Sequence, residues 1–274
     1  IEPTSLHRVQ MNDVTFLNNA VNRVLVDTSS GLDAIVADVT LKTQPGLEWY
    51  EFADANSIPT PPAHFVVPVG VTMTVESGVE LRFGDGAEEF VVDGRLIIRG
   101  SLTKPVTVTS ANNAAAGEWM GLTANGEVQL TNTAVRYASN NLSVNNFGKA
   151  QLENATVEEA EFAGLRVAGG QATAVRSSFT DNGAEGIVVE DNGTPVVSIT
   201  NSTINGNAGA GLKNLSSVAV DAMSNWWGDA TGPAGDGSGS GDEVQGNVVF
   251  SDWLADDVWT MLHYHLYLPS IISP

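Results

Sequence analysis

The sequence predicts an all-β solenoid, a parallel sheet wound into about eight or nine coils, each unable to bury its apolar side chains except against a neighbour. Three observations predict it. First, residues 121–227 repeat: Gly121-Leu122, Asn141-Leu142, Gly164-Leu165, Gly186-Ile187 and Gly211-Leu212 recur every 20 to 25 residues or so, a roughly 20- to 50-residue period being the mark of stacked repeats. Second, an aliphatic residue is followed two places on by Asn and five places on by another aliphatic. Leu130, Asn132 and Val135, then Leu152, Asn154 and Val157, then Ile199, Asn201 and Ile204 follow this rule. Val175, Ser177 and Phe179, and Met223, Asn225 and Trp227, carry a shortened version. Third, turn residues stand behind each aliphatic pair, as in Asp181-Asn182-Gly183 and Asn205-Gly206-Asn207.

Composition agrees. With 42% hydrophobic residues and 28 Gly in 274 residues, the chain is built for a core and many tight turns. No apolar run reaches the roughly 18 residues of a membrane-spanning helix, so no membrane insertion is expected. The balance of 12 Lys+Arg against 32 Asp+Glu, net −20, repels nucleic-acid phosphates and anionic membranes and favours cations, Ca²⁺ in particular. The absence of Cys excludes disulfides, thiolate metal sites and thiol nucleophiles, and fits a bacterial extracellular protein. Five Asn-x-Ser/Thr matches, at Asn141, Asn154, Asn192, Asn201 and Asn214, are no more than so Asn-, Ser- and Thr-rich a chain gives by chance. Ile1, with no Met before it, reads as a processed or internal start.

At the N-terminal end, Met11, Asp13 and Phe16 fit the repeat spacing, Asn18-Asn19 supply a turn, and Val24-Leu25-Val26 read as the next strand. The chain therefore starts inside a partial coil with no cap in front, which presents an open backbone edge. Residues 46–68 break the periodicity: an aromatic, acidic run is followed by Pro59, Pro61 and Pro62, which forbid regular pairing. This irregular excursion is either a carbohydrate-binding loop, with Trp49 and Tyr50 as a stacking platform, or a flap whose aromatics turn inward. From Val69 short alternating strands return, at Val71 to Val75 and at Val79 to Phe83, turned at Gly78. Phe90-Val91-Val92, Leu96-Ile97-Ile98 and Val106-Thr107-Val108 follow, with no room for crossover helices between them.

Here a resemblance becomes specific. Thr74 to Phe83 with Gly78 at its corner, then Asp93-Gly94-Arg95-Leu96, Gly100, Pro105-Val106-Thr107-Val108 and Gly117-Glu118-Trp119-Met120-Gly121-Leu122 resemble the opening coils of bacterial right-handed parallel β-helix repeat proteins. Asn225-Trp226-Trp227-Gly228, Gly232-Pro233, Val248-Val249-Phe250 and Trp253-Leu254 are similar to the closing signature of the pectate-lyase-like, cell-surface members. The resemblance spans about residues 69–254 and implies a right-handed parallel β-helix and an extracellular, cell-surface location; with the repeat spacing at the N-terminal end, the β-helix is expected over residues 1–254. It leaves activity open, because lyases, hydrolases, adhesins and passive stalks share the architecture.

Residues 228–247 form a Gly/Asp-rich loop in which Asp229, Asp236, Asp242 and Glu243 are candidate Ca²⁺ ligands, the alternative being a solvated turn. Residues 255–274 are an apolar tail strand. Its Tyr264, Leu266, Leu268, Ile271 and Ile272 either cap their own coil or pair with the open first coil of the next molecule. His263 and His265 share a strand face without a third metal ligand.

Catalysis on such a fold, as the resemblance implies it, uses Ca²⁺ with an Arg or Lys base, or clustered Asp on successive coils. Arg136 and Arg166 have no aligned Asp run beside them, Glu158, Glu159 and Glu161 read as a solvated turn, and Asp256-Asp257 lie beyond the coils. No catalytic residues and no required cofactor are therefore expected. The sequence points to a structural protein polymerising head to tail through its tail strand. The alternatives are a carbohydrate-binding or polysaccharide-degrading β-helix, with Trp119 as a further aromatic contact, or a fragment of a large adhesin.

Overall fold

A computed structural model describes residues 1–8, 15–17, 19–29, 33–54, 64–84 and 88–258. They form a parallel β-solenoid of three sheets, with eight, nine and nine strands, each inner coil giving one strand to each sheet. The first sheet runs from Arg23–Asp27 through Trp49–Ala53, Glu80–Phe83 and Val106–Ser110 to Thr203–Asn205. The second runs from His64–Val67 and Glu89–Val92 to Leu212–Asn214, Gly241–Gln245 and Pro233–Gly235. The third runs from Val39–Leu41 and Thr72–Glu76 to Val220–Asp221 and Val248–Val249.

Strand parity builds the core. Alternate residues face inward, and in-register pairing stacks like positions along the axis. One second-sheet row runs Phe65, Phe90, Leu122, Leu142, Leu165, Ile187, Leu212 and Val244, so the repeated dipeptides at 121–212 mark one sheet. A first-sheet row runs Tyr50, Leu81, Val108, Val135, Val157, Phe179 and Ile204. Between the third and first sheets the chain turns on one residue with left-handed backbone: Asn132, Asn154, Arg176, Asn201 and Ser224, with φ from 46° to 59°. Asn tolerates this region better than most residues, which explains the Asn of the repeat. The two shortened repeats are one residue out of step in their opening positions. The full pattern there is Ala174, Arg176, Phe179 and Ala222, Ser224, Trp227, with Ala174 and Ala222 buried.

Asn side chains form ladders at the corners. Asn182 Nδ2 donates to Asn207 Oδ1 (2.8 Å), and Asn207 Nδ2 donates to Asp242 Oδ2 (2.9 Å). At another corner Asn145 donates to Asn125 (2.9 Å) and Asn125 to Asp93 (2.8 Å). Each ladder ends on a carboxylate, which accepts without donating further. Ser177, Ser202 and Asn225 form a third series, each accepting a backbone N–H of the preceding coil.

Three sequence expectations need correction. Residues 46–68 are not a simple excursion, because Trp49–Ala53 and His64–Val67 are strands of the first and second sheets; Pro59, Pro61 and Pro62 lie outside the described residues. Residues 228–247 carry the strands Pro233–Gly235 and Gly241–Gln245. Nor is the N-terminal edge bare. A 3-10 turn, Pro3–Arg8, lies against Arg23–Asp27 and Val39–Leu41, with Pro3 and Leu6 buried. The Ile1 carbonyl accepts from Asp27 N (2.7 Å), and the Ile1 ammonium donates to the Leu25 carbonyl (2.9 Å). At the opposite end Trp253 lies so close over Gly232 that a Cβ there would stand 2.4 Å from its ring. The Thr203 hydroxyl donates to Asp257 (2.5 Å). Met11, Asp13, Asn18 and the tail residues His263, Tyr264, His265, Leu266, Leu268, Ile271 and Ile272 lie outside the described residues.

Candidate functional site

The unusual chemistry gathers at the corner between the first and second sheets in the N-terminal coils. Phe90 and Val92 point inward, so Glu88, two residues before Phe90, shares their parity and is carried inward as well. It is 4% exposed. Its Oε1 accepts from Thr28 Oγ1 (2.9 Å) and from the backbone N–H of Asp54 (3.1 Å). Its Oε2 is buried with no hydrogen-bond partner among the described residues. Thr28, Asp54 and Gly84 each follow a first-sheet strand in successive coils, so the carboxyl joins three coil corners. Gly84 makes the room: a Cβ there would lie 2.9 Å from Ala53 Cβ and 3.5 Å from Glu88 Cγ.

Burial pushes the Glu88 carboxyl up to about 7, with the Asp54 and Asp33 charges adding to it and the donors Thr28 and Asp54 N–H opposing. Asp33 is raised too, by burial against the opposing pull of His64, and its Oδ1 is buried without a partner among the described residues. His64 Nδ1 stands 3.0 Å from Glu89 Oε2, while Glu89 Oε1 accepts from Thr123 (2.6 Å). The corner thus holds a carboxyl that gains or loses a proton near neutrality beside two further acids and an imidazole. Among the described residues no three His, Asp or Glu side chains are grouped to hold a metal ion.

Sequence reasoning passed over Asp33, Asp54, His64, Glu88 and Glu89. The signal was the Glu88-Glu89 pair before Phe90: extending the strand parity two residues back places Glu88 on the core side.

The residues singled out from sequence are dispersed. Trp49 and Tyr50 are neighbours on one strand and therefore point to opposite faces, so they form no joint platform. Tyr50 is 2% exposed, and its hydroxyl donates to the Lys42 carbonyl (2.7 Å). Trp49 faces outward, but Arg82 lies over its ring at 3.8 Å and its Nε1 donates to Glu51 (2.9 Å). Trp119 is buried, stacked on Phe83 at 4.8 Å. The four Ca²⁺ candidates each serve a separate local contact. Asp229 accepts from Thr231, which holds its carboxyl below the usual range; Asp236 accepts from Gly246 N; Glu243 accepts from Gln245. Asp242 accepts from Gly206 N and from both the backbone and the side chain of Asn207. Arg136 and Arg166 pair with Glu158 (3.8 Å) and Glu190 (2.6 Å) of the following coils. Glu158 is half-buried rather than solvated, and burial raises its carboxyl. Asn141 and Asn214 are buried in corner hydrogen bonds, which leaves no room for a glycan on either.

An open cleft of about 450 Å³ lies between Glu185, Lys213 and Glu243. A shallow polar groove of about 420 Å³ runs over Gln129, Gln151, Glu153 and Arg176. Residues 95–226 match the family model described as the right handed beta helix region. No curated protein and no solved structure shows significant similarity to the chain.

Proposed function

We propose that this right-handed β-helix protein is a non-catalytic, extracellular structural rod whose copies join head to tail. The observation that carries the reading is the direction of its ion pairs. Arg23–Glu51, Arg95–Glu127, Arg136–Glu158, Arg166–Glu190, Arg176–Glu153 and Lys213–Glu185 each tie one coil to another. Six of the twelve Lys and Arg are therefore used along the axis. Charges so arranged hold a stack of coils together and leave its outer face acidic.

The two ends differ in finish, which supports polar assembly. The N-terminal end is plugged by Leu6, whereas the last third-sheet strand, Val248–Val249, leaves Val249 and the nearby Trp253 partly exposed. Tyr264, Leu266, Leu268, Ile271 and Ile272 follow that end in the chain and are the proposed joining segment. A joining strand from the next molecule has to displace residues 1–8, so the plug acts as a brake on growth. Negative-stain electron microscopy of three forms tests this. The intact chain should give filaments; deleting residues 259–274 should leave single rods, and deleting residues 1–8 should give longer filaments. Single rods from all three forms would overturn the proposal. A second reading, polysaccharide contact, draws support from the register of Gln129 and Gln151 along the polar groove.

A further inference from the structure

We infer that Glu88 is a proton-operated latch on the N-terminal coils: with its buried Oε2 protonated, the corner joining Thr28, Asp54 and Gly84 is closed, and with the carboxyl ionised it loosens. The geometry carries this. One carboxyl oxygen is fully engaged by two donors from two earlier coils, and the other is buried with no hydrogen-bond partner among the described residues. An ionised oxygen in that position has lost its water and gained no donor, which is a costly state. A proton on Oε2 removes the charge without disturbing the two hydrogen bonds on Oε1.

The groups around the carboxyl sharpen the response. Asp54 from the preceding coil and Asp33 from the segment before the third sheet both bear on it as acids. Asp27 precedes Thr28 and accepts from Ser29 N (3.0 Å). His64 on the neighbouring second-sheet strand is engaged with Glu89. Glu118, before the next coil, takes the Ser110 hydroxyl (2.5 Å). Asp85, on Glu88's own connection, lies outside the described residues. No Lys or Arg is among these groups, so ionisation of Glu88 adds a negative charge to an acidic corner.

The sign follows from linkage. A carboxyl held above its unfolded value stabilises the closed corner fully at low pH, and that stability is lost as pH rises from about 4.5 through about 7. The latch is thus closed in mild acid and released in mild alkali. It bears on the strands Arg23–Asp27 and Trp49–Ala53, which end at the corner, and not on the coils from Leu142–Val144 onward.

Hydrogen exchange read by mass spectrometry, corrected for intrinsic rates, tests this on the intact chain at about pH 5.5 and 8.5. Protection within residues 23–54 should fall on the order of tenfold at the higher pH, while residues 142–214 stay level. Glu88→Gln cannot ionise, and its protection should be the same at both values. Wild-type pH dependence retained in Glu88→Gln, or equal behaviour of the two regions in the wild type, would overturn the latch. Should Glu88→Gln fail to fold, Thr28→Val serves: losing a donor that favours the ionised form should move the release to higher pH, and an unmoved midpoint overturns the idea as well.

Discussion

The corner between the first and second sheets is filled in two different ways along one molecule. In the N-terminal coils it is aromatic. Phe83 stacks on Phe52 (centroids 5.0 Å apart), on Phe90 (5.3 Å) and on Trp119 (4.8 Å), with Phe65 against Phe52 and Phe90. From Asn141 onward the same corner is amide. Asn141 accepts from Ala138 N in its own coil and donates to the Glu158 carbonyl of the next, while Asn182 and Asn207 each accept from the preceding coil until Asp242 ends the series. Trp119 is the junction, since it pairs with Ala138 in the next coil. The aromatic corner holds its coils by burial, which is non-directional and tolerates an irregular chain path around it. The amide corner holds by directed bonds, which work only where successive coils keep one register. Irregularity and the buried Glu88 both fall on the aromatic side.

The largest test of this contrast is Phe83→Ala. Phe83 is fully buried and touches three rings, so its loss should cost about 3–5 kcal/mol in urea denaturation. The loss should appear in the N-terminal coils first, because each coil contacts only its neighbours. A uniform loss of protection from residue 23 to residue 249 would mean that the two halves unfold as one unit.

The matching change in the amide half is Asn182→Ala. It removes the acceptor for Ala160 N (3.1 Å) and one of two donors to Asn207 Oδ1 (2.8 Å), which keeps the Asn182 backbone N–H, so the buried Ala160 N–H is the group left without its acceptor. At about 1–3 kcal/mol for an unsatisfied buried group, the expected cost is about 1–3 kcal/mol. Because the ladder is directional, Asn207 keeps its own bond to Asp242, and the damage should stay between residues 157 and 207. Hydrogen exchange on the variant reads its extent directly.

The same contrast explains what was legible in the sequence. Asn182, Asn207 and the one-residue turns at Asn132, Asn154 and Asn201 were visible because a directed bond, or a left-handed backbone, demands one residue type at one spacing. Where the demand weakens, so does the signal: Arg176 and Ser224 occupy the same left-handed position, and the repeat read around them slipped by one residue. In the aromatic half burial asks only for bulk. Trp49, Tyr50 and Phe52 therefore read as a loose aromatic run, although they are successive outward and inward positions of a strand. The prolines after them hid His64–Val67, and with it the coil that places Glu88. The N-terminal plug was invisible for another reason. A single inward Leu6 on a short turn has no periodicity to announce it.

The smallest effects separate the two halves at the level of surface charge. Arg166 and Glu190 make a two-bonded pair at 2.6 and 2.8 Å, with both side chains about a third exposed. Water and salt screen such a pair, and Arg166→Ala should cost less than about 1 kcal/mol. That small cost should shrink further in 0.5 M salt. In the N-terminal half Arg23 bonds to both oxygens of Glu51, whose side chain is only 11% exposed. Arg23→Ala leaves that carboxylate with Trp49 Nε1 as its remaining side-chain donor among the described residues, away from bulk water. The expected cost is about 1–3 kcal/mol, nearly independent of salt. Urea midpoints for the two variants at low and high salt make the comparison. Equal costs would show that Glu51 relaxes into solvent when its partner is removed, and that the N-terminal coils are loose enough to let it.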